Sequence, residues 1–254
     1  MKSEDSSSQP SMTLDASRAP PRDPGGAPSY ALIALIAGVT ATATYFGFEL
    51  SRAGTVTLWF ILGAPTIAFA SFALLRAHRD GELRSWIRPV WGDATIGIGS
   101  AAVLMCGAAI FVHLVAPVGS DRESWMARLY LQLGSPDTLR SHSLALGAAI
   151  VIIAAAEEIV WRGLVTTLLA EKLGSRSAWV IAAFLYAASM LPAMWSLRDP
   201  VAGLNPILPL AGLCLGLLWG TMSRYTRRLT PAILSHAAFD WCVIVLFRLW
   251  GPSL

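Results

Sequence analysis

Two adjacent glutamates lie in the middle of an apolar stretch. Glu157 and Glu158 interrupt the run IIAAAEEIVWRGL, and Arg162 follows Glu158 by four residues. A charge at the centre of a membrane helix costs at least ~2.5–3.5 kcal/mol on insertion scales, so charges at such depth indicate function. Arg162 shares a helical face with Glu158 and is expected to neutralise it. Glu157 projects about 100° away, lacks that partner, and is the candidate general base.

A histidine and an aspartate form a second polar pair in another apolar stretch. His236 and Asp240 stand four residues apart in LTPAILSHAAFDWCV and therefore share one face of a helix. Carboxylates and an imidazole from two membrane helices could activate water or bind a metal ion. The alternative is a set of buried ion pairs that only fixes helix packing. The sequence contains neither an HExxH zinc motif nor a GxSxG nucleophile motif.

These motifs resemble those of the CPBP family, the CAAX-protease and bacteriocin-processing intramembrane endopeptidases. The family motif EExxxR matches Glu157, Glu158 and Arg162, and its final motif, His followed four residues later by Asn or Asp, matches His236 and Asp240. The resemblance covers roughly residues 143–245. It implies an endopeptidase that cleaves a protein or peptide in the membrane near its C-terminus or membrane anchor, without a cofactor or metal.

The middle motif of the family, an aromatic residue followed four residues later by histidine, is altered. Tyr186 takes the aromatic position, and Met190 stands where histidine is expected. The resemblance implies that Glu157 activates water, that Glu158 and Arg162 brace the site, and that the final-motif pair, His236 and Asp240, stabilises the oxyanion. A thioether is no base at neutral pH, so the alternative is a catalytically inactive adaptor, immunity or sensor protein.

Long apolar segments predict the elements that carry these residues. The chain is 55% hydrophobic and 14% charged, and its mean hydropathy is +0.57. These values predict an all-α, polytopic membrane helix bundle. The sequence predicts about seven spans: Tyr30–Leu50, Gly54–Leu75, Ala94–Val118, Ser143–Leu169, Ala178–Trp195, Asn205–Met222 and Leu229–Leu249. The fifth is the weakest because it is short and contains Pro192, so a six-span bundle with a re-entrant fifth segment is the alternative.

The remaining segments fix the predicted domain organisation. Residues 1–28 form a polar leader, predicted to be disordered, and residues 29–254 form one membrane domain. Residues 120–142 carry apolar side chains at helical spacing, which indicates an amphipathic interfacial helix, with a plain loop helix as the alternative. Gly212, Gly216 and Gly220 form a small-residue stripe for helix packing.

The distribution of Lys and Arg between the loops predicts the orientation of the bundle in the membrane. With the N-terminus in the cytoplasm, the inside segments carry twelve Lys and Arg residues and the outside segments six. The Arg- and Ala-rich composition favours the inner membrane of a bacterium.

The basic residues form no clustered stripe, so nucleic acid is not an expected partner. The expected partners are the lipid bilayer and a membrane-borne peptide. A small transporter using the buried carboxylates remains an alternative.

Overall fold

The computed structural model describes residues 26–247, and most of this part of the chain is helical. The helices are α1 (Gly26–Gly47), α2 (Val56–Arg79), α3 (Leu83–Ile87), α4 (Asp93–Val115), α5 (Glu123–Leu133), α6 (Pro136–Ser141), α7 (Ser143–Glu158), α8 (Thr166–Leu173), α9 (Ser175–Ser189), α10 (Ala193–Ser196), α11 (Ile207–Thr226) and α12 (Thr230–Trp241). A π-helical segment, Ile159–Val165, joins α7 to α8 without a break, and a second, Cys242–Phe247, extends α12. Most of the predicted leader lies outside the described residues.

The predicted polytopic bundle is confirmed. In the described part of the chain, six helices are long and apolar enough to cross a membrane, and Thr230–Val245 is a shorter apolar helix. The fifth predicted span is one of the six, as Ser175–Ser196. Pro192 does not interrupt α9, because α9 ends at Ser189 and the proline lies in the turn before α10. The seventh span, rather than the fifth, is therefore the short one.

The outer faces of the long helices are apolar and are not covered by other parts of the described chain. Phe60 on α2 is 70% exposed, Val103 on α4 is 66% exposed and Leu144 on α7 is 88% exposed. Soluble proteins seldom leave so much contiguous apolar surface in water, whereas lipid chains cover it without cost. The bundle is thus built to be embedded in a bilayer.

Buried side chains of the described residues form three clusters in the bundle. The first joins α1, α2, α9 and the continuous helix from α7 to α8, and it includes Ile36, Trp161 and Leu168. The second joins α4, α11 and α12 around Trp219. The third, smaller cluster joins α6, α7 and the extension of α12. Because α12 contacts α4, α7 and α11, it is the element that brings the second cluster against the first.

Polar contacts tie the helix connections together at one end of the bundle. The Gly54 amide donates to the Gln132 carbonyl at 2.9 Å, and the Gln132 side chain donates to the Phe48 carbonyl at 3.1 Å. The Asn205 side chain donates to the Trp125 carbonyl at 2.9 Å. These bonds link the α1–α2 connection and the α10–α11 connection to α5. All three segments therefore lie at one end.

The opposite end has its own set of contacts. The Leu229 amide, just before α12, donates to the Trp86 carbonyl of α3 at 2.8 Å. Arg228 pairs with Asp93 at the start of α4, with 2.7 Å between Nη2 and Oδ1. Connections therefore alternate between the two ends along the chain, which is the arrangement of helices that cross a membrane in turn.

The predicted interfacial segment, residues 120–142, forms α5 and α6. Trp125 of α5 is buried against the bundle, whereas Leu131 on the same helix is 48% exposed. Arg128 pairs with Asp199 in the α10–α11 connection, with 3.6 Å between Nε and Oδ2. Hydrogen bonds from the Ala202 and Val201 amides hold the pKa of the Asp199 carboxyl below its usual value. This carboxylate therefore remains charged and keeps α5 attached.

The glycine stripe on α11 has the packing role predicted from sequence. A Cβ atom on Gly216 would lie 3.3 Å from the Ala183 Cβ of α9, and one on Gly220 would lie 3.2 Å from the Trp179 ring of the same helix. The stripe therefore lets α11 approach α9 closely.

Gly97 on α4 provides a test of the contact with α12. An alanine Cβ there would lie 2.7 Å from the Leu234 Cβ and 3.0 Å from the Pro231 carbonyl oxygen, whereas a Cβ on Gly99 meets nothing within 4 Å. We expect Gly97→Ala to lower the free energy of unfolding by ~1–3 kcal/mol. Gly99→Ala, the matched control on the same helix, should leave it unchanged or raise it by up to ~1 kcal/mol.

Thermal unfolding of the two variants in one detergent measures this difference. Equal midpoints for Gly97→Ala and Gly99→Ala would show that α4 and α12 are farther apart than described.

Candidate active site

The glutamates of the fourth span lie where the helix changes its winding. α7 ends at Glu158, and the π-helical segment Ile159–Val165 follows with all seven residues buried. The Thr166 hydroxyl donates at 2.8 Å to the Trp161 carbonyl five residues earlier, in keeping with the wider turn. π-Helical turns within α-helices are rare and often mark functional sites.

Glu158 connects two helices through a single carboxylate oxygen. Its Oε1 accepts a hydrogen bond from Nδ1–H of His236 on α12 at 2.9 Å and lies 3.1 Å from Nη1 of Arg162. The pairing of Glu158 with Arg162 on one helical face agrees with the sequence. Glu158 is fully buried and His236 is 3% exposed, so this carboxylate is closed off from solvent.

Glu157 occupies a more open position. Its side chain is 23% exposed, and Oε2 accepts a hydrogen bond from the Tyr186 hydroxyl of α9 at 2.7 Å. The same oxygen lies 3.7 Å from Nε2 of His236. The expectation that Glu157 lacks a partner on its own helix holds, but α9 supplies one. Glu157 is therefore the more exposed glutamate of the pair.

His236 links every acidic group of the cluster. While Nδ1 faces Glu158, Nε2 lies 3.3 Å from Oδ2 of Asp240, whose side chain is 31% exposed. With the 3.7 Å approach of Glu157, the structure brings the five residues singled out from the sequence into one cluster: Glu157, Glu158, Arg162, His236 and Asp240.

Trp219 of α11 fixes the imidazole ring. The two rings stack at 3.8 Å between centroids with 19° between their planes. The indole N–H donates to the Ser235 hydroxyl at 3.1 Å, and that hydroxyl is 2.9 Å from the Ser100 hydroxyl of α4. Because Trp219 and Ser235 are fully buried, the histidine is held in one orientation.

Arg162 lies between aromatic faces. Its guanidinium carbon is 4.8 Å from the centroid of the Tyr186 ring and 5.3 Å from that of Trp219. Neither Nη atom has a hydrogen-bond partner among the described residues, so the charge is balanced by Glu158 and by the two π-faces. Gly216 leaves the space, because a Cβ there would lie 3.4 Å from Nη2.

Met190 packs against α11. It caps the C-terminal end of α9, and its sulfur lies 2.7 Å from the position that a Cβ on Gly212 would take. The other histidines lie elsewhere: His78 and His113 are in the last turns of α2 and α4, and His142 precedes α7. The cluster thus contains one imidazole, that of His236.

The cluster lies at the depth expected of a membrane interior. Glu157 is 14 residues from the start of α7, which corresponds to about 21 Å of helical rise. His236 is six residues from the start of α12, or about 9 Å. These two helices start at opposite ends of the bundle, so both positions lie well inside it.

The donor set does not form a metal site. Within residues 26–247, no three His, Cys, Asp or Glu side chains are arranged to hold an ion. Oε1 of Glu158 already has Nδ1 of His236 and Nη1 of Arg162 as neighbours. What the arrangement offers is a partly exposed carboxylate next to a fixed imidazole, groups of the type that can deprotonate water and stabilise an oxyanion.

Sequence reasoning overlooked the contributions of Tyr186 and Trp219. In the sequence pattern, Tyr186 appears only as the aromatic residue of an altered motif, although a hydroxyl in an apolar helix indicates a polar partner. Trp219 stands one residue before Gly220 on α11, but its ring faces α12 and not α9. No short pattern in the sequence marks it as a partner of His236.

A buried ion pair and an exposed one can be compared directly. Glu158→Leu leaves Arg162 without its carboxylate in the interior, so we expect a loss of ~3–5 kcal/mol in the free energy of unfolding. The control Glu171→Leu removes an exposed pair with Arg76, in which both side chains are 32% exposed, and should cost at most ~1 kcal/mol. Detergent unfolding curves give both values, and equal losses would contradict the bridging role of Glu158.

Comparison with known proteins places this cluster in a family. No curated protein and no solved structure matches the chain significantly. Residues 140–242, less than half of the chain, match the family model described as type II CAAX prenyl endopeptidase Rce1-like. The matched segment contains α7 through α12, and with them all five residues of the cluster. Residues 140–242 are therefore similar to the Rce1-like type II CAAX prenyl endopeptidases, which is consistent with the CPBP family, whose first and last motifs the chain carries and whose middle motif is altered at Met190.

Proposed function

We propose that the protein is an intramembrane endopeptidase that uses Glu157 to activate water. The observation that carries the proposal is the contrast between two adjacent carboxylates. Glu158 is sealed off and paired with Arg162, whereas Glu157 is 23% exposed and lies 3.7 Å from Nε2 of His236. One carboxylate is structural, and its neighbour is free to accept a proton.

The chemistry follows from these positions. The Glu157 carboxylate takes a proton from a water molecule, and the resulting hydroxide attacks the carbonyl carbon of the scissile peptide bond. Nε2–H of His236, held in place by Glu158 and Trp219, donates to the oxyanion that forms, while Asp240 supports the imidazole. The proton on Glu157 then passes to the leaving amine, the carbon–nitrogen bond breaks, and a new carboxyl terminus and a new amino terminus are released.

The depth of the site restricts the substrate. A site inside the bundle favours a peptide bond whose segment is itself anchored in the bilayer. The match to CAAX prenyl endopeptidases and the membrane depth of Glu157 together support cleavage near a C-terminus or membrane anchor. The substrate class is therefore a membrane-bound protein or peptide.

Met190 favours a second candidate, a catalytically inactive member of the family that acts as an adaptor, immunity or sensor protein. It stands at the position where the resemblance implies histidine, and its thioether packs against Gly212. A packed thioether contributes no base. The two candidate functions predict different results when the Glu157 carboxylate is removed: the peptidase loses proteolysis, whereas the inactive family member shows no change in proteolysis.

Glu157→Gln tests the proposed reaction. Mapping C-terminal peptides in membranes from cells with and without the protein detects cleavage products even when the substrate is unidentified. We expect products with the wild type and a ~10²–10⁴-fold lower yield with Glu157→Gln, because the amide cannot accept the proton.

The matched control is Glu49→Gln, at a helix end and paired with the partly exposed Arg52, which should process normally. Equal product yields from wild type and Glu157→Gln would exclude the peptidase. A cellular phenotype that survives this substitution but requires the protein would favour the adaptor.

We also propose that the protein lies in a bacterial inner membrane with its N-terminus in the cytoplasm. The end of the bundle that holds α5 would then face outward, and the end that holds α3 and the α8–α9 connection would face inward, in line with the excess of Lys and Arg there. Asp121 and Ser175 are exposed residues at these two ends.

Cysteine labelling tests this orientation. In a background without the native cysteines, Asp121→Cys should react with a membrane-impermeant maleimide in intact spheroplasts. Ser175→Cys should react only after the membrane is permeabilised. The reverse pattern would place the N-terminus outside.

A further inference from the structure

We propose that Tyr186 is the positioning residue of this site, and that its hydroxyl orients the Glu157 carboxylate toward the attacking water. The inference rests on the proposed peptidase function. It assigns to the altered motif on α9 a role that the sequence alone did not suggest.

The direction of the Tyr186 hydroxyl is fixed by the packing of its ring. The residue is 4% exposed. Its ring lies against the Arg162 guanidinium at 4.8 Å and against the Trp161 ring at 5.3 Å between centroids. With the ring packed against these two groups, the hydroxyl points to Oε2 of Glu157, 2.7 Å away.

This hydrogen bond makes the two oxygens of Glu157 unequal. Oε2 accepts from Tyr186 and is the oxygen nearest Nε2 of His236. Among the described residues no hydrogen bond to Oε1 is formed, and 23% of the side chain is exposed. Oε1 is therefore the oxygen that receives the proton of water, and Tyr186 determines which way it faces.

The position of Tyr186 explains how the site accommodates Met190. Met190 lies one helical turn further along α9 and is packed against Gly212 of α11. The polar contact from α9 to Glu157 therefore comes from Tyr186. A carboxylate held by a single α9 donor depends on that donor for its orientation, because the next turn offers only a thioether.

Tyr186→Phe removes the hydroxyl and keeps the ring. Glu157 then rotates freely, so we expect the yield of cleaved C-termini to fall about ten- to a hundredfold, the loss that corresponds to one hydrogen bond to a charged group. The control Tyr225→Phe, at a residue that is 82% exposed on α11, should process normally. Incorporation of 3-fluorotyrosine at position 186 retains a hydroxyl and should restore most of the yield.

A double-mutant cycle provides a readout that does not require proteolysis. In detergent, Tyr186→Phe should lower the unfolding midpoint less in a Glu157→Ala background than in the wild type, because the hydroxyl no longer has its acceptor. A purely space-filling tyrosine would give the same shift in both backgrounds.

The outcomes separate the two proposals. If Glu157→Gln abolishes cleavage but Tyr186→Phe cleaves like the wild type, Tyr186 has no positioning role and the peptidase stands. If neither substitution changes cleavage, both the proposed peptidase function and the proposed role of Tyr186 are excluded. Loss of cleavage in Tyr186→Phe, recovery with 3-fluorotyrosine and a non-additive cycle together support the inference.

Discussion

The bond between Glu158 and His236 holds the two halves of this bundle in register. Glu158 belongs to the helix that runs through the first side-chain cluster, and His236 belongs to α12, which packs in the second. A fully buried carboxylate is costly unless its charge is matched, and here Arg162 and the imidazole approach the same oxygen. Both groups reach this oxygen only when the helices are packed as described. That arrangement of the helices in turn orients the other polar side chains of the cluster.

This constraint gives the two adjacent glutamates different surroundings. On a helix, neighbouring residues point about 100° apart, so a helix that buries Glu158 against Arg162 must direct Glu157 elsewhere. It faces the space bounded by α9 and α12, where Tyr186 and His236 lie. The same pair of residues thus provides a buried anchor and the partly exposed carboxylate that we propose as the base.

Local spacing made part of this site predictable. The Glu158–Arg162 and His236–Asp240 pairs follow from four-residue spacing on a helix, and the all-helical bundle follows from the apolar stretches. The Tyr186–Glu157 bond joins residues 29 positions apart, and the stacking of Trp219 on His236 depends on how α11 packs beside α12. Such contacts are set by helix packing, which a single sequence does not encode in any short pattern. The π-helical segment after Glu158 likewise left no signal in the residue types.

Met190 shows why an altered motif is better judged from packing than from a residue-by-residue match. A histidine at this position would put a polar ring against Gly212, where the structure has a thioether in close contact with α11. Met190 is therefore part of the contact between α9 and α11. The same helix carries the Tyr186 hydroxyl that reaches Glu157. The residue at position 190 is thus better judged together with its neighbours on α9 than alone.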